Sequence, residues 1–136
     1  GDGVLLMLRA KLPVRGSDRH GSGVFGAPRG DRIHKGIDCA CQPATEIYPV
    51  CAGRVTKLGY PYKDDLSYRY VQVTDARGLE HRYFYLDPLV SLGDLVTLDT
   101  PIGRSQSLWS RYPGITPHVH YEVRDRGHYL NPETLK

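Results

Sequence analysis

Short alternating segments separated by turn residues limit the possible folds of this chain more than any other feature. Residues 68–74 alternate between aromatic or branched side chains and polar ones, and residues 79–86 do the same. The 15 glycines and 10 prolines among 136 residues break the chain into short segments, as in proteins with many turns. Since no stretch keeps a helical period beyond a turn or two, the sequence predicts a mostly antiparallel β fold.

The clearest pair of strands is a hairpin over residues 69–86. The turn between its two strands is formed by Asp75, Ala76, Arg77 and Gly78, a composition that favours tight reversal of the chain. Residues 13–33 are rich in Gly, Arg, Ser and Asp and predict an irregular lead-in. The predicted strands are 36–41, 46–49, 53–59, 69–75, 79–86, 94–98, 101–105 and 118–124, followed by a last short strand before Asn131.

Length and composition indicate one domain. A chain of 136 residues supports a single core but not two. We expect an N-terminal strand and lead-in over residues 1–19, and one compact antiparallel β-sheet or β-sandwich-like domain with little helix over residues 20–136. No apolar run is as long as a membrane span, and residues 4–8 lack the flanking features of a signal peptide.

Charge and cysteine content restrict the partners and the chemistry. The net charge of +3 is spread along the chain, which argues against nucleic acid and suits an anionic polymer such as a cell wall. Three cysteines, Cys39, Cys41 and Cys51, are an odd number for a disulfide framework. We expect three small buried thiols, and we leave open a Cys41–Cys51 bridge or a role for a cysteine in metal binding.

Two short motifs contain side chains that bind metals. One is an H-x-x-x-D motif from His34 to Asp38, with Gly36 leaving room between its ends, and the other is the H-x-H motif of His118 and His120. On a strand, residues two apart share a face, so one histidine of the H-x-H pair can bind a metal while the other reaches the water bound to it. Two imidazoles and one carboxylate leave one tetrahedral position open, which is the catalytic pattern for zinc, and zinc lowers the pKa of a bound water to about 7.

These motifs stand in a longer pattern. H-K-G-I-D is followed by G-R-V, Y-x-x-L, G-D-x-V, I-G and P-H-V-H-Y-E-V. Over about residues 20–133 this order and spacing resembles the lysostaphin-type zinc metallopeptidases. The resemblance implies a small β-rich fold with a groove, and zinc-dependent cleavage of peptide cross-links in peptidoglycan. It also implies that His34, Asp38 and His120 bind the zinc ion and that His118 is the neighbouring imidazole that handles a proton or the oxyanion.

One residue departs from the family pattern. The family has a second catalytic histidine in a Y-x-H-L strand, and the matching segment here, residues 83–86, has Tyr85 in its place. Tyrosine has a pKa near 10 and is a poor base, but its hydroxyl can donate a hydrogen bond to an oxyanion while His118 acts as the base. Alternatively, Tyr85 fills the space of the histidine and the site binds zinc without turnover. His81 lies four residues earlier, about 13 Å away along the strand.

Two functions therefore remain open. The first is a zinc-dependent peptidoglycan peptidase, similar to peptidase-like proteins encoded by bacteriophages. We expect such a protein to be virion-associated or delivered to the bacterial cell wall or periplasm. The segments Asp18–Gly21 and Tyr112–Ile115 are similar to leukocyte cell-derived chemotaxin 2. That similarity implies the second function, a non-catalytic zinc-binding module such as a receptor ligand or a phage tail component. Tyr85 separates the two functions.

Overall fold

The computed structural model describes residues 26, 28–29, 32–33 and 35–132, and within them nearly all of the regular secondary structure is antiparallel β-strand. No helix in these ranges is long and apolar enough to cross a membrane. The strands are β1 (Pro28–Arg29), β2 (Arg32–Ile33), β3 (Ile37–Ala40), β4 (Glu46–Ile47), β5 (Gly53–Gly59), β6 (Tyr70–Thr74), β7 (Glu80–Phe84), β8 (Leu86–Pro88), β9 (Leu95–Val96), β10 (Gly103–Ser105), β11 (His118–Asp125) and β12 (His128–Leu130).

The largest sheet has seven strands, which we call the main sheet. Its order is β12-β11-β7-β6-β5-β9, and β3 pairs with the first part of β11. Strands β6 and β7 form the predicted hairpin, in which the amide of Gly78 donates to the carbonyl of Asp75 at 3.0 Å. The carboxylate of Asp75 also accepts from the amides of Arg77 and Leu79, at 2.8 and 3.1 Å. A side chain that accepts from the next amides favours a turn at this point.

A second, three-stranded sheet, β4-β10-β8, packs on one face of the main sheet. Side chains alternate between the two faces of each central strand, and those that face the core shared by the two sheets are mostly apolar. The opposite face of the main sheet carries polar side chains, and the candidate site lies on it. The core comprises Ile37, Cys39, Ile47, Val55, Val71, Val73, Leu79, Tyr83, Leu86, Val96, Ile102, Val119, Tyr121 and Val123.

These findings confirm the predicted fold class and correct some of its details. The segment 13–33 is not irregular throughout, because β1 and β2 pair within it as two short antiparallel strands. The predicted strand 79–86 is interrupted at Tyr85, whose φ of 74° lies in the left-handed region. Backbone in that region cannot continue a strand, so β7 ends and β8 joins the other sheet. Residues 1–19, predicted as a strand and lead-in, lie outside the described residues.

Cys39, Cys41 and Cys51, all within the described residues, form no disulfide bond in the structure. Cys39 is fully buried in the core, and Cys41 and Cys51 are half-buried. The predicted thiols are therefore present without a Cys41–Cys51 bridge, although only Cys39 is completely buried.

Candidate metal centre

The H-x-H motif begins β11, and both of its histidines lie on the polar face of the main sheet. Strand β11 pairs with β3 so that His120 is directly opposite Asp38. Paired residues on neighbouring strands project from the same face, and alternation along β11 adds His118 and Glu122 to that face. The structure thus brings together three of the predicted site residues and one carboxylate that was not predicted.

Both ring nitrogens of His120 face a carboxylate. Nδ1 lies 2.9 Å from Oδ1 of Asp38, and Nε2 lies 3.0 Å from Oε1 of Glu122. Burial opposes a charge on this ring, but the hydrogen bonds to Asp38 and Glu122 outweigh it and raise the pKa of His120 to about 9. In the metal-free protein at neutral pH, His120 is therefore an imidazolium that donates to both carboxylates.

His118 has one assigned tautomer. Its Nδ1 lies 2.7 Å from the carbonyl oxygen of Thr116. Because a carbonyl only accepts, Nδ1 carries the proton, and in the neutral ring Nε2 is the basic nitrogen. Nε2 lies 3.5 Å from Oδ2 of Asp38. The basic nitrogen of His118 therefore points at the same carboxylate that contacts His120.

Asp38 and His120 have the chemistry and spacing of ligands to a divalent cation. Two donor atoms that are each about 2 Å from a tetrahedral zinc ion lie about 3 Å apart, which matches the separation of Oδ1 and Nδ1. Glu122 accepts from Nε2 and would keep the ring in the tautomer that offers a lone pair on Nδ1, as carboxylates do beside many metal-binding histidines. The donor set fits zinc at this position.

Gly36 lets the H-x-x-x-D segment approach β11. A Cβ at this position would overlap the carbonyl oxygen of Tyr121 and lie 3.0 Å from both Cβ of Glu122 and Cε1 of His120. The space that a side chain at position 36 would need is therefore occupied by β11. A side chain here would push Asp38 away from His120.

His34, the remaining predicted ligand, lies outside the described residues. The next residue, Lys35, is exposed, and its ammonium lies 4.9 Å from the ring centroid of Tyr129. The role of His34 stays a prediction.

Tyr85 lies beside His118, and their ring centroids are 5.7 Å apart. The hydroxyl of Tyr85 is 2.9 Å from that of Tyr62, which is 2.6 Å from the hydroxyl of Tyr112. Burial raises the pKa of Tyr85 well above its usual range, so the hydroxyl keeps its proton. Tyr85 is therefore suited to donating a hydrogen bond and unsuited to accepting a proton.

His81 lies on the other face of the main sheet. It pairs with Val123, and its Nδ1 lies 2.7 Å from the hydroxyl of Tyr121, a residue of the core face of β11. His81 therefore cannot replace a histidine at position 85, because its side chain projects from the opposite face of the sheet and lies farther along the strand.

Three polar side chains at the site are missing from the sequence-based set. Glu122 could have been found, since His118, His120 and Glu122 are spaced by two along one strand. Tyr62 and Tyr112 could not, because they come from segments 50 residues apart that only the fold brings into contact.

The chain is similar to known proteins in sequence and in fold. The leukocyte cell-derived chemotaxin-2 of Bos taurus is 28% identical over 112 residues, which cover 82% of this chain and 74% of that protein. The solved catalytic domain of a mutant of the prophage-encoded M23 protein EnpA from Enterococcus faecalis has a TM-score of 0.65 and 27% identity, covering 90% of this chain and 95% of that one.

A further solved structure shows the same fold. The catalytic domain of the antimicrobial peptidase lysostaphin from Staphylococcus simulans has a TM-score of 0.66 at 21% identity, and it covers 83% of this chain and 87% of that one. The model of Peptidase family M23 matches residues 32–132. That range is well over half of the sequence and includes every residue of the candidate metal centre, and the chain therefore belongs to Peptidase family M23, a family of metallopeptidases.

Proposed function

We propose that this protein is a zinc-dependent peptidase that cleaves the peptide cross-links of peptidoglycan. The observation that carries the proposal is the placement of His118, with Nε2 as its basic nitrogen, beside the adjacent carboxylate and imidazole of Asp38 and His120. A base next to a pair of metal ligands is the arrangement that activates water for hydrolysis.

Asp38 and His120 would hold the ion, together with His34 as the predicted third ligand. When bound, zinc supplies a Lewis acid that polarises a carbonyl and makes water more acidic. Glu122 orients the His120 ring through Nε2. His118 takes a proton at Nε2, because its Nδ1 proton is engaged by the carbonyl of Thr116.

Tyr85 would serve as a hydrogen-bond donor to the oxyanion of the tetrahedral intermediate. Its hydroxyl can accept from Tyr62 and so turn its own proton outward, and the Tyr62 hydroxyl is in turn paired with that of Tyr112. Such positioned donors stabilise developing negative charge. The raised pKa of Tyr85, caused first by burial, keeps the donor protonated throughout the reaction.

Two relatives support a proposal for the substrate and the place of action. Lysostaphin is described as an antimicrobial peptidase and EnpA as prophage-encoded. We propose that this chain too acts on the bacterial cell wall, as a phage-encoded protein, with virion proteins as further partners. The net charge of +3 supports contact with an anionic polymer.

The test is release of soluble fragments from dye-labelled peptidoglycan by zinc-loaded protein. His118→Ala is the inactive variant, and we expect its rate to fall by roughly 10²–10⁴-fold, the usual contribution of a general base. His128→Ala is the matched control, since His128 is exposed on β12, far along the sheet from the motif. Equal release by wild type, His118→Ala and buffer would refute the peptidase.

The second candidate function is a zinc-binding module without turnover. It is favoured by Tyr85, which stands where the family resemblance places a catalytic histidine, and by the similarity to chemotaxin-2. Here the discriminating variant is Tyr85→His. Fragment release that appears only in this variant, with equal zinc content in both proteins, would support the non-catalytic module, whereas chelator-sensitive release by the wild type would exclude it.

A further inference from the structure

A second group of metal-binding side chains lies on the core face of the main sheet. Cys51 lies two residues before β5, Asp75 follows β6 in the hairpin turn, and His81 is on β7. We call these three residues the core-face cluster. They belong to none of the motifs assigned to the metal centre, and the sheet separates the two groups because His81 and His120 project from opposite faces.

The three donor atoms of the cluster converge. Sγ of Cys51 lies 3.4 Å from Nε2 of His81 and 3.9 Å from Oδ2 of Asp75, and Nε2 lies 2.8 Å from Oδ2. A tetrahedral zinc ion bound at about 2.0–2.3 Å by sulfur, nitrogen and oxygen requires donors roughly 3–4 Å apart. The triangle therefore needs only small movements to accept an ion.

The surroundings hold each donor in place. Oδ1 of Asp75 accepts from the amides of Arg77 and Leu79, which directs Oδ2 into the cluster. Nδ1 of His81 is 2.7 Å from the hydroxyl of Tyr121, which fixes the ring and can accept its Nδ1 proton. In the metal-free protein Nε2–H donates to Oδ2 of Asp75, and transfer of the ring proton to Nδ1 on metal binding would present the Nε2 lone pair to the cluster. Hydrogen-bonded outer partners of this kind are what orient metal ligands.

The alternative of a Cys-His-Asp nucleophile does not fit. In a catalytic triad the histidine uses one nitrogen for the nucleophile and the other for the carboxylate. Here Cys51 and Asp75 both face Nε2 of His81, and Nδ1 is engaged by Tyr121. The ring cannot accept a proton from Cys51 while being oriented by Asp75, so the geometry favours shared binding of a cation over proton relay.

We propose that the core-face cluster is a second zinc site, with Cys51, Asp75 and His81 as ligands. One thiolate and one carboxylate neutralise the two positive charges of the ion, which suits a site of low exposure. The ion would tie the loop before β5 to the β6–β7 hairpin. Arg77 is the competing cation, since its guanidinium lies 3.1 Å from Oδ2 of Asp75, but its side chain is 57% exposed and can turn to solvent. Cys51 is half-buried, which leaves a path for the ion.

The test uses Co²⁺ as the probe, added to chelator-treated wild-type protein under a metal-free reductant. A cobalt–thiolate charge-transfer band in the near ultraviolet reports the cluster alone, because Asp38, His118 and His120 supply no sulfur. We expect this band in the wild type, and we expect added Zn²⁺ to remove it by displacing Co²⁺. Absence of the band in folded wild-type protein would overturn the proposal.

Cysteine variants assign the band to a residue. Cys51→Ser should abolish it, whereas Cys41→Ser, which replaces another half-buried free thiol, should keep it. Zinc content should fall by one ion per chain in Cys51→Ser, with no loss of the ion at Asp38 and His120. A band that persists in Cys51→Ser would refute the assignment. These outcomes are independent of peptidoglycan release, so this proposal and the proposed function can fail separately.

Discussion

His81 is buried and His120 is half-buried on the main sheet, and both are hydrogen-bonded to a carboxylate, yet their pKa values shift in opposite directions. Burial is the largest influence on His81 and lowers its pKa; the hydrogen bond and the charge of Asp75 raise it by less, and the charge of Arg77 also lowers it. At His120, burial is outweighed by Asp38 and Glu122, and the pKa rises to about 9. His81, with one neighbouring carboxylate, therefore stays neutral at neutral pH, whereas His120, with two, is a cation.

This contrast has a consequence for metal binding. A neutral imidazole offers a lone pair without losing a proton, whereas an imidazolium must release one. Binding of an ion at the metal centre therefore releases a proton from His120, whereas at the core-face cluster the released proton comes from the thiol of Cys51, whose pKa burial raises to about 11.

The largest expected effect is on the pH dependence of stability in chelator-treated protein. The folded pKa of His120, about 9, lies above its unfolded value of 6.5, so its stabilisation is present below pH 6.5 and is lost as pH rises toward 9. At about 1.4 kcal/mol per pKa unit, the loss is roughly 3 kcal/mol in the free energy of unfolding. Urea unfolding at several pH values measures this loss. A free energy of unfolding that stays constant or rises between pH 6.5 and 9 would contradict the raised pKa of His120.

The second prediction concerns the fit of the H-x-x-x-D segment against β11. Gly36→Ala should cost about 1–3 kcal/mol, as overpacking does, and should also weaken zinc binding by displacing Asp38. Gly127→Ala is the control, because Gly127 has a φ of 82° with open space around it and loses only backbone energy, about 1–2 kcal/mol. Calorimetric zinc titration of both variants decides, and equal zinc affinity in the two would rule out the proposed role of Gly36.

The third prediction tests the second carboxylate at His120. Glu122→Gln should lower the zinc affinity of the metal centre by about 10–100-fold, the usual cost of losing a carboxylate behind a metal-binding histidine. Glu46→Gln, which changes an exposed carboxylate on β4, should leave the affinity unchanged. Competition with a chromophoric chelator measures both. If Glu122→Gln binds zinc as tightly as the wild type, Glu122 does not orient the His120 ring for metal binding.

The smallest effect is expected at the hydroxyl of Tyr121. Tyr121→Phe removes the partner of His81 Nδ1 and should cost about 1 kcal/mol of stability. It should weaken the cobalt–thiolate band of the core-face cluster and leave fragment release from peptidoglycan unchanged. Cobalt titration and the dye assay on the same sample measure the band and the fragment release. A change in fragment release with an unchanged cobalt–thiolate band would contradict the prediction.

The sequence was sufficient for most of the fold and for part of the candidate site. Alternation over 69–75 and 79–86 correctly predicted the β6–β7 hairpin, because a strand's side chains repeat every two residues whatever lies beside it. The split at Tyr85 was not predicted, since a left-handed φ at a tyrosine is imposed by contacts such as the hydrogen bond that its amide donates to the carbonyl of Arg69 at 2.7 Å. The short pair β1 and β2 has too few residues to show a period.

The amino-acid pattern was enough to predict that the chain is β-rich, that His118 and His120 share a face, and that metal-binding side chains occur in two motifs. The folded chain was needed to show that His120 lies opposite Asp38, 82 residues away in sequence, that Glu122 contacts its second ring nitrogen, and that Cys51, Asp75 and His81 converge on the other face. The physical reason is that the period of a strand fixes which residues share a face, whereas strand pairing and register depend on packing across the whole core.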